Sequence, residues 1–254
     1  MQLSGNTILI TGGGSGIGRA LAESFHRLGN QVVIAGRRQP VLNETTAANP
    51  GMRSLTVDVQ DAAAVREFAA RATNEFPGLN VLVNCAGIMR PEKLLAQPFD
   101  LAGAEATVAT NLLAPIRLTA ALLPHLEKLP AATIMNVSSG LAFLPLALTP
   151  TYCATKAAIH SYSVSLRYQL RKTGIEVLEL VPPYVQTDLM DGKDDPRAMP
   201  LADFIAEVME ILKQRPTPEE ILVENVKRLR FAAENGNFDT IFSGLNAAMT
   251  DSSL

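Results

Sequence analysis

Tyr152 and Lys156 stand four residues apart in the run Tyr-Cys-Ala-Thr-Lys, thirteen residues after Ser139. On a helix, positions i and i+4 share one face, so this spacing predicts the Lys156 ammonium beside the Tyr152 phenol. A free phenol keeps its proton up to about pH 10, and a neighbouring cation favours its release. Such a pair can protonate the alkoxide that develops when a carbonyl is reduced, and the Ser139 hydroxyl can share and orient that oxygen. Taken singly, the tyrosine also reads as a helix-start aromatic and the serine as a turn hydroxyl. Only their combination carries the inference.

A second group of residues supplies the redox half of that chemistry. The run Thr-Gly-Gly-Gly-Ser-Gly-Ile-Gly from Thr11 to Gly18 closes one apolar strand pattern and opens a helical one. Glycines let the chain turn tightly and approach a pyrophosphate lying at the positive end of the following helix. The candidates for this contact are Gly12, Ser15, Gly16, Ile17 and Gly18. Their Gly-x-x-x-Gly-x-Gly spacing departs from the commoner Gly-x-Gly-x-x-Gly, but its place at the first strand-helix junction points to a dinucleotide. The second strand pattern ends in Gly36-Arg37-Arg38. A carboxylate there would bind a ribose 2′-hydroxyl and repel a 2′-phosphate, whereas two guanidiniums can pair with that phosphate. The expected cofactor is therefore NADPH/NADP+ in preference to NAD, with Arg37 the stronger contact and Arg38 also readable as an exposed helix start. Asp58, after the third strand pattern, could bond the adenine amine or simply form a turn.

Short β-branched runs at 7–10, 32–35, 54–57, 81–83, 133–137 and 176–181 alternate with helical patterns. That alternation predicts an α/β fold with a doubly wound parallel sheet, Rossmann-like, in a single domain over 1–254. Ligands of such sheets lie beyond the carboxyl ends of the strands at the switch point, so the loops at 11–18, 84–87, 138–140 and 182–187 should converge there. A polar, proline-bearing stretch at 188–200 precedes a helical pattern at 202–213, and together they are expected to form a lid over 188–213. Within a long helical pattern at 101–126, Pro115 cannot donate to the carbonyl of Asn111. A kink is expected there, with that carbonyl free to hold a water leading to Lys156.

The net charge of −3 gives no footprint for nucleic acid or an anionic membrane surface. Lys227, Arg228 and Arg230 read as a solvated helix face. Cys85 and Cys153 lie in patterns expected to be buried, which suggests a reducing compartment and a cytoplasmic protein. No apolar run is expected to approach the roughly 18 residues of a membrane span. His26, His125 and His160 lack ligand spacing, so no metal is expected, and His160 is placed at a helix interface.

Taken in order, these pieces resemble the short-chain dehydrogenase/reductase family over essentially the whole chain. The matching residues are Thr11 to Gly18, Asn84-Cys85-Ala86-Gly87, Asn111, Asn136-Val137-Ser138-Ser139, Tyr152-x-x-x-Lys156 and the turn ending at Thr187. The resemblance implies NAD(P)-dependent reduction of a carbonyl or oxidation of an alcohol. Tyr152 would be proton donor, Ser139 would bind the substrate oxygen, Lys156 would hold the nicotinamide ribose and Asn111 would support a proton relay. Asn84, Ala86, Gly87, Pro182, Val185 and Thr187 would contact the cofactor. Where the family usually has Pro-Gly, this chain has Pro182-Pro183, which removes a backbone donor. The pattern at 226–249 is most similar to a branch found near cell-wall D-alanylation genes.

The segment 141–146, Met89 and Tyr184 should wall the pocket with apolar groups, which favours a hydrophobic ketone or secondary alcohol. Lys193 and Arg197 on the lid could instead bind an anion. A homodimer or homotetramer through the helices carrying Asn111 and Tyr152 is expected. Two other readings stay open: an NADPH-binding regulatory or sensing module without turnover, and an assembly scaffold.

Overall fold

Valine, isoleucine and leucine dominate most of the runs that become strands, because a parallel sheet covered on both faces leaves its central strands little contact with water. A computed structural model describes residues 1–95 and 100–250. Its strands are β1 (Thr7–Thr11), β2 (Gln31–Gly36), β3 (Arg53–Thr56), β4 (Leu79–Asn84), β5 (Ala132–Val137), β6 (Ile175–Leu180) and β7 (Glu220–Ile221). They form one parallel seven-stranded sheet in the order β3-β2-β1-β4-β5-β6-β7. The order reverses between β1 and β4, and the candidate site sits at that reversal. Six strands fall where the sequence pattern puts them. β7 spans two residues, too few for any periodicity to register.

The first helices are α1 (Gly16–Arg27), α2 (Gln39–Ala48) and α3 (Ala62–Glu75). Asp61 caps α3 by accepting from the backbone of Ala63 at 2.7 Å and Ala64 at 3.2 Å, a contact that stabilises a helix by about 1 kcal/mol. Alternation along β1 sends Ile8 and Ile10 to one face with Phe25 of α1, and Leu9 to the other with Phe68 of α3.

The long pattern at 101–126 folds as α4 (Ala102–Val108), a π turn at Ala109–Leu113 and α5 (Ala114–Leu126). The expected interruption at Pro115 thus takes the form of one wider turn, in which the Ala114 N–H reaches back five residues to Ala109. Contrary to the expectation of no membrane-length run, Ala102–Leu126 is long and apolar enough to cross a membrane by composition. Leu118, Leu122 and Leu126 of this helix are nevertheless buried in the core against the sheet.

The remaining helices are α6 (Pro150–Leu170), α7 (Leu201–Gln214), α8 (Glu224–Arg230) and α9 (Phe238–Thr250). The pattern at 226–249 is therefore two helices, separated by a segment in which Gly236 takes φ +70°. Between β6 and α7 the chain forms a short 3-10 helix, Leu189–Asp194, within the stretch expected to be the lid.

Candidate active site

The turn after β1 is fixed by a residue that sequence reasoning did not single out. Thr11 Oγ1 accepts from the backbone N–H groups of Cys85 and Ala86, both at 3.1 Å, and so joins the loops after β1 and β4. A Cβ at position 18 would lie 2.4 Å from the Gly12 carbonyl oxygen, so only glycine lets α1 begin so close to the strand end. Ser15 caps α1 without a side-chain hydrogen bond, and no acidic residue lies in the first turn. The uncapped, positive helix end opens into a cleft of about 390 Å³ lined by Gly12, Ser15, Gly16, Ile17 and Gly18. These features fit a dinucleotide pyrophosphate.

Across the cleft, α6 presents Tyr152 and Lys156, both buried, and the loop after β5 presents Ser139. Burial pushes the Tyr152 phenol above its ordinary value, and a hydrogen bond with Ser139 draws it back down. Lys156 lies 5.6 Å from the centre of the Tyr152 ring, and its ammonium donates to the Val137 carbonyl at 2.8 Å. The expected lowering of the phenol by Lys156 is not what dominates here. Desolvation does, because the phenol is shut away from water. Burial also pushes Lys156 down to about 8, with Cys85 and Glu179 acting in the opposite sense.

Asn111, in the π turn, clamps the loop after β4. Its amide donates to the Ile88 carbonyl at 2.8 Å, and its Oδ1 accepts from the Ile88 N–H at 2.9 Å. The same amide reaches Thr155 Oγ1 at 3.3 Å, a link to α6 that the sequence did not suggest. A Cβ placed on Gly87 would stand 3.5 Å from Asn111 Oδ1 and 3.8 Å from Lys156 Nζ, so Asn111 and Lys156 flank the same backbone.

Of the two arginines, Arg38 lines the cleft. Arg38 is the N-cap of α2, and both arginines are exposed. The Asp58 carboxylate is exposed and accepts from the Gln60 N–H at 3.0 Å, the turn-forming role. Asn84 is buried in the sheet and donates to Asn136 Oδ1 at 2.8 Å, so its side chain braces β4 against β5. Gly87, Pro182, Val185 and Thr187 line the cleft, and the Ala86 N–H donates to Thr11 Oγ1. Cys153 is buried as expected, but Cys85 keeps some surface and lines the cleft.

Met89, Leu141, Leu146 and Tyr184 form the apolar wall that the sequence placed opposite the tyrosine. Leu144 instead packs against Ile241, and Phe143 turns away towards His160. Leu229 of α8 and Leu245 and Met249 of α9 complete the wall. Only the fold could bring them in, since they lie far along the chain from Tyr152. Arg197 does not face the cleft as a free cation. It pairs with Asp195 at 2.7 Å and donates to the Ala248 carbonyl at 3.1 Å, tying the loop before α7 to α9.

Comparison with known proteins agrees with this geometry. The short chain dehydrogenase profile matches residues 6–198. The chain belongs to the short-chain dehydrogenase family. It is thus an oxidoreductase, built like its family on a single Rossmann-like domain. An uncharacterised oxidoreductase of Bacillus subtilis, DltE, is 39% identical over 251 residues, covering 97% of this chain and 98% of that protein. Among solved structures, a short-chain dehydrogenase from Sphingobium yanoikuyae in complex with NADPH is 25% identical, with a TM-score of 0.79 over 94% of this chain and 95% of that one. A short-chain dehydrogenase/reductase from Burkholderia phymatum in complex with NAD shares the fold at 22% identity, with a TM-score of 0.80 over 94% and 96% of the two chains. The family match ends at residue 198, so α8 and α9, which complete the apolar wall, lie outside it.

Proposed function

We propose that this short-chain dehydrogenase is an NADPH-dependent carbonyl reductase, working in reverse as an alcohol dehydrogenase, on a hydrophobic ketone or secondary alcohol. The observation that carries the reading is the meeting of Ser139, Tyr152 and Lys156 at an apolar wall, across one cleft from the glycine turn. When bound, the nicotinamide supplies the hydride and the protein manages the proton. Burial keeps Tyr152 protonated at neutral pH, which suits an acid for the reductive direction. Its O–H bond breaks as a bond forms from that proton to the substrate oxygen, and Ser139 steadies the same oxygen by a hydrogen bond. Lys156 holds the nicotinamide ribose, and the Asn111 turn beside it supports a water-borne proton path that recharges the phenol.

Arg38 at the cleft wall, with no carboxylate at the end of β2, supports NADPH over NADH. The leucines and methionines of the wall support a substrate with an apolar body, and the pairing of Arg197 with Asp195 argues against a carboxylate-bearing one. Exposed Leu113, Val164 and Tyr168 on the helices bearing Asn111 and Tyr152 support homo-oligomer formation.

The test is consumption of NADPH against aryl, alkyl and charged ketones, for the parent protein and Tyr152→Phe. Turnover of apolar ketones with a loss of about 10²- to 10⁴-fold in the variant is expected. Tight NADPH binding with no turnover of any ketone would move the reading to the sensing module.

A further inference from the structure

Behind the catalytic helix lies a charged cluster that the proposed reaction does not use. Glu179 of β6 is fully buried; its Oε2 meets His160 Nδ1 at 2.9 Å, while Oε1 has no hydrogen-bond partner. His160 lies on α6 one turn beyond Lys156. Glu220 of β7 is 3.6 Å from the same imidazole nitrogen and accepts from Arg230 Nε at 2.9 Å. Arg230 also binds Glu234 at 2.8 Å and lies 4.4 Å over Phe143, which meets His160 edge-on at 4.7 Å. Within one chain His160 thus faces β6 and β7, and Arg230 is not part of a solvated face.

His160, Glu179 and Glu220 place one ligand-type atom each within 4.8 Å of one another, as a metal centre would. The Arg230 guanidinium already occupies Glu220, so we read the group as an ion-pair ladder. A buried carboxylate with a bare oxygen is costly unless cations face it. One such cation is His160, which this contact with Glu179 biases towards its protonated form. Lys156 lies one helical turn from His160 on the same α6. In the sheet register Glu179 pairs with Asn136, next to Val137, whose carbonyl takes the Lys156 ammonium. The remaining acidic neighbours of Lys156 carry no charge at neutral pH. Burial pushes the Cys85 thiol up to about 11 and raises the Tyr152 phenol too. Among the described residues, Glu179 is then the acid that acts on Lys156 against its burial.

We infer that Glu179, clasped by His160, is a positioning residue that keeps Lys156 a cation in its buried site. The inference rests on the role given to Lys156 above. By this reading the field of Glu179 opposes the loss of the ammonium's proton to burial, and Lys156 stays charged where it meets the ribose. Glu220 and Arg230 neutralise each other and fix the far side of His160.

The experiment is an NMR titration of isotope-labelled lysine side chains in the parent and Glu179→Gln proteins, with Lys156 assigned by its loss in Lys156→Met. The Lys156 midpoint should fall by about half a unit or more when the charge is removed. An unchanged midpoint would overturn the proposal. NADPH affinity followed against pH gives a second readout. Glu179→Gln should match the parent at mildly acidic pH and lose affinity at a lower pH than the parent, whereas equal weakening at every pH would mark Glu179 as merely structural. If Glu179→Gln does not fold, His160→Gln serves instead. It removes a cation while its amide can still bond Glu179, so the Lys156 midpoint should rise, and a midpoint that stays or falls would count against the idea. The lysine titration needs no substrate, so a shifted midpoint in a protein that reduces no ketone would sink the reductase reading and leave this one standing.

Discussion

At Tyr152, burial and a hydroxyl neighbour pull the phenol in opposite directions, and burial is the larger effect. The spacing of Tyr152 and Lys156 was legible because i and i+4 fix a shared helix face; the direction of the ammonium was not, since the Val137 carbonyl comes from a strand nineteen positions earlier. The arginines teach the same lesson. Their types pointed to a phosphate, but that Arg38 lines the cleft emerges only in the folded chain. Arg38→Asp is therefore expected to lower the ratio of NADPH to NADH affinity by about ten- to 100-fold, the worth of a charged hydrogen bond, and Arg37→Asp by much less. Paired fluorescence titrations with the two cofactors check this, and equal effects at both positions would refute it. His160 adds a pH signature. Its hydrogen bond to Glu179 raises its value above the ordinary 6.5, so the folded state keeps a proton that the unfolded chain releases. The stabilisation is complete below about pH 6.5 and is lost as pH rises through the raised value. Urea midpoints for parent and His160→Gln should differ most at acidic pH and converge at alkaline pH.

Among elements, those set by local pattern were legible and those set by distant pairing were not. The strands of the sheet and the glycine turn announce themselves through apolar runs and residues without side chains. β7 is a strand only because Glu220 and Ile221 lie beside Glu179 and Leu180. The interruption before Pro115 could be foreseen, but its form as a π turn that points Asn111 at Ile88 and Thr155 could not. α9 reaches the cleft because Asn246 holds it there, accepting from the Ala147 N–H at 2.6 Å and donating to the Pro145 carbonyl at 3.3 Å. Asn246→Ala should loosen that wall. KM for an apolar ketone is expected to rise several-fold with NADPH affinity within about twofold, since a lost buried contact of this kind costs about 1 kcal/mol. Equal losses for both ligands would show that α9 supports the whole cleft.

For the whole molecule, two apolar layers sandwich the sheet, and the second includes Leu118 of the membrane-length helix. Composition alone could not separate a core helix from a spanning one. Burial against the sheet does. Leu118→Ala should cost about 2–5 kcal/mol of unfolding free energy by chemical denaturation, with kcat at low temperature near the parent value. A change below about 1 kcal/mol would mean that this helix is not part of the folding core. The acid in β6 shows the limit of pattern reading at this scale, because a run read only as apolar hides a buried carboxylate whose partners come from α6 and β7.

The strand order also bears on how the chain can be made. Read from β1, the sheet grows to one side through β2 and β3 and then to the other through β4, β5, β6 and β7. Each newly synthesised strand therefore meets an open edge of the sheet already present, and none has to wedge between two paired neighbours. A chain leaving the ribosome at about 5–20 residues per second can lay down this sheet outward from its first strand, in the sequence in which the strands emerge.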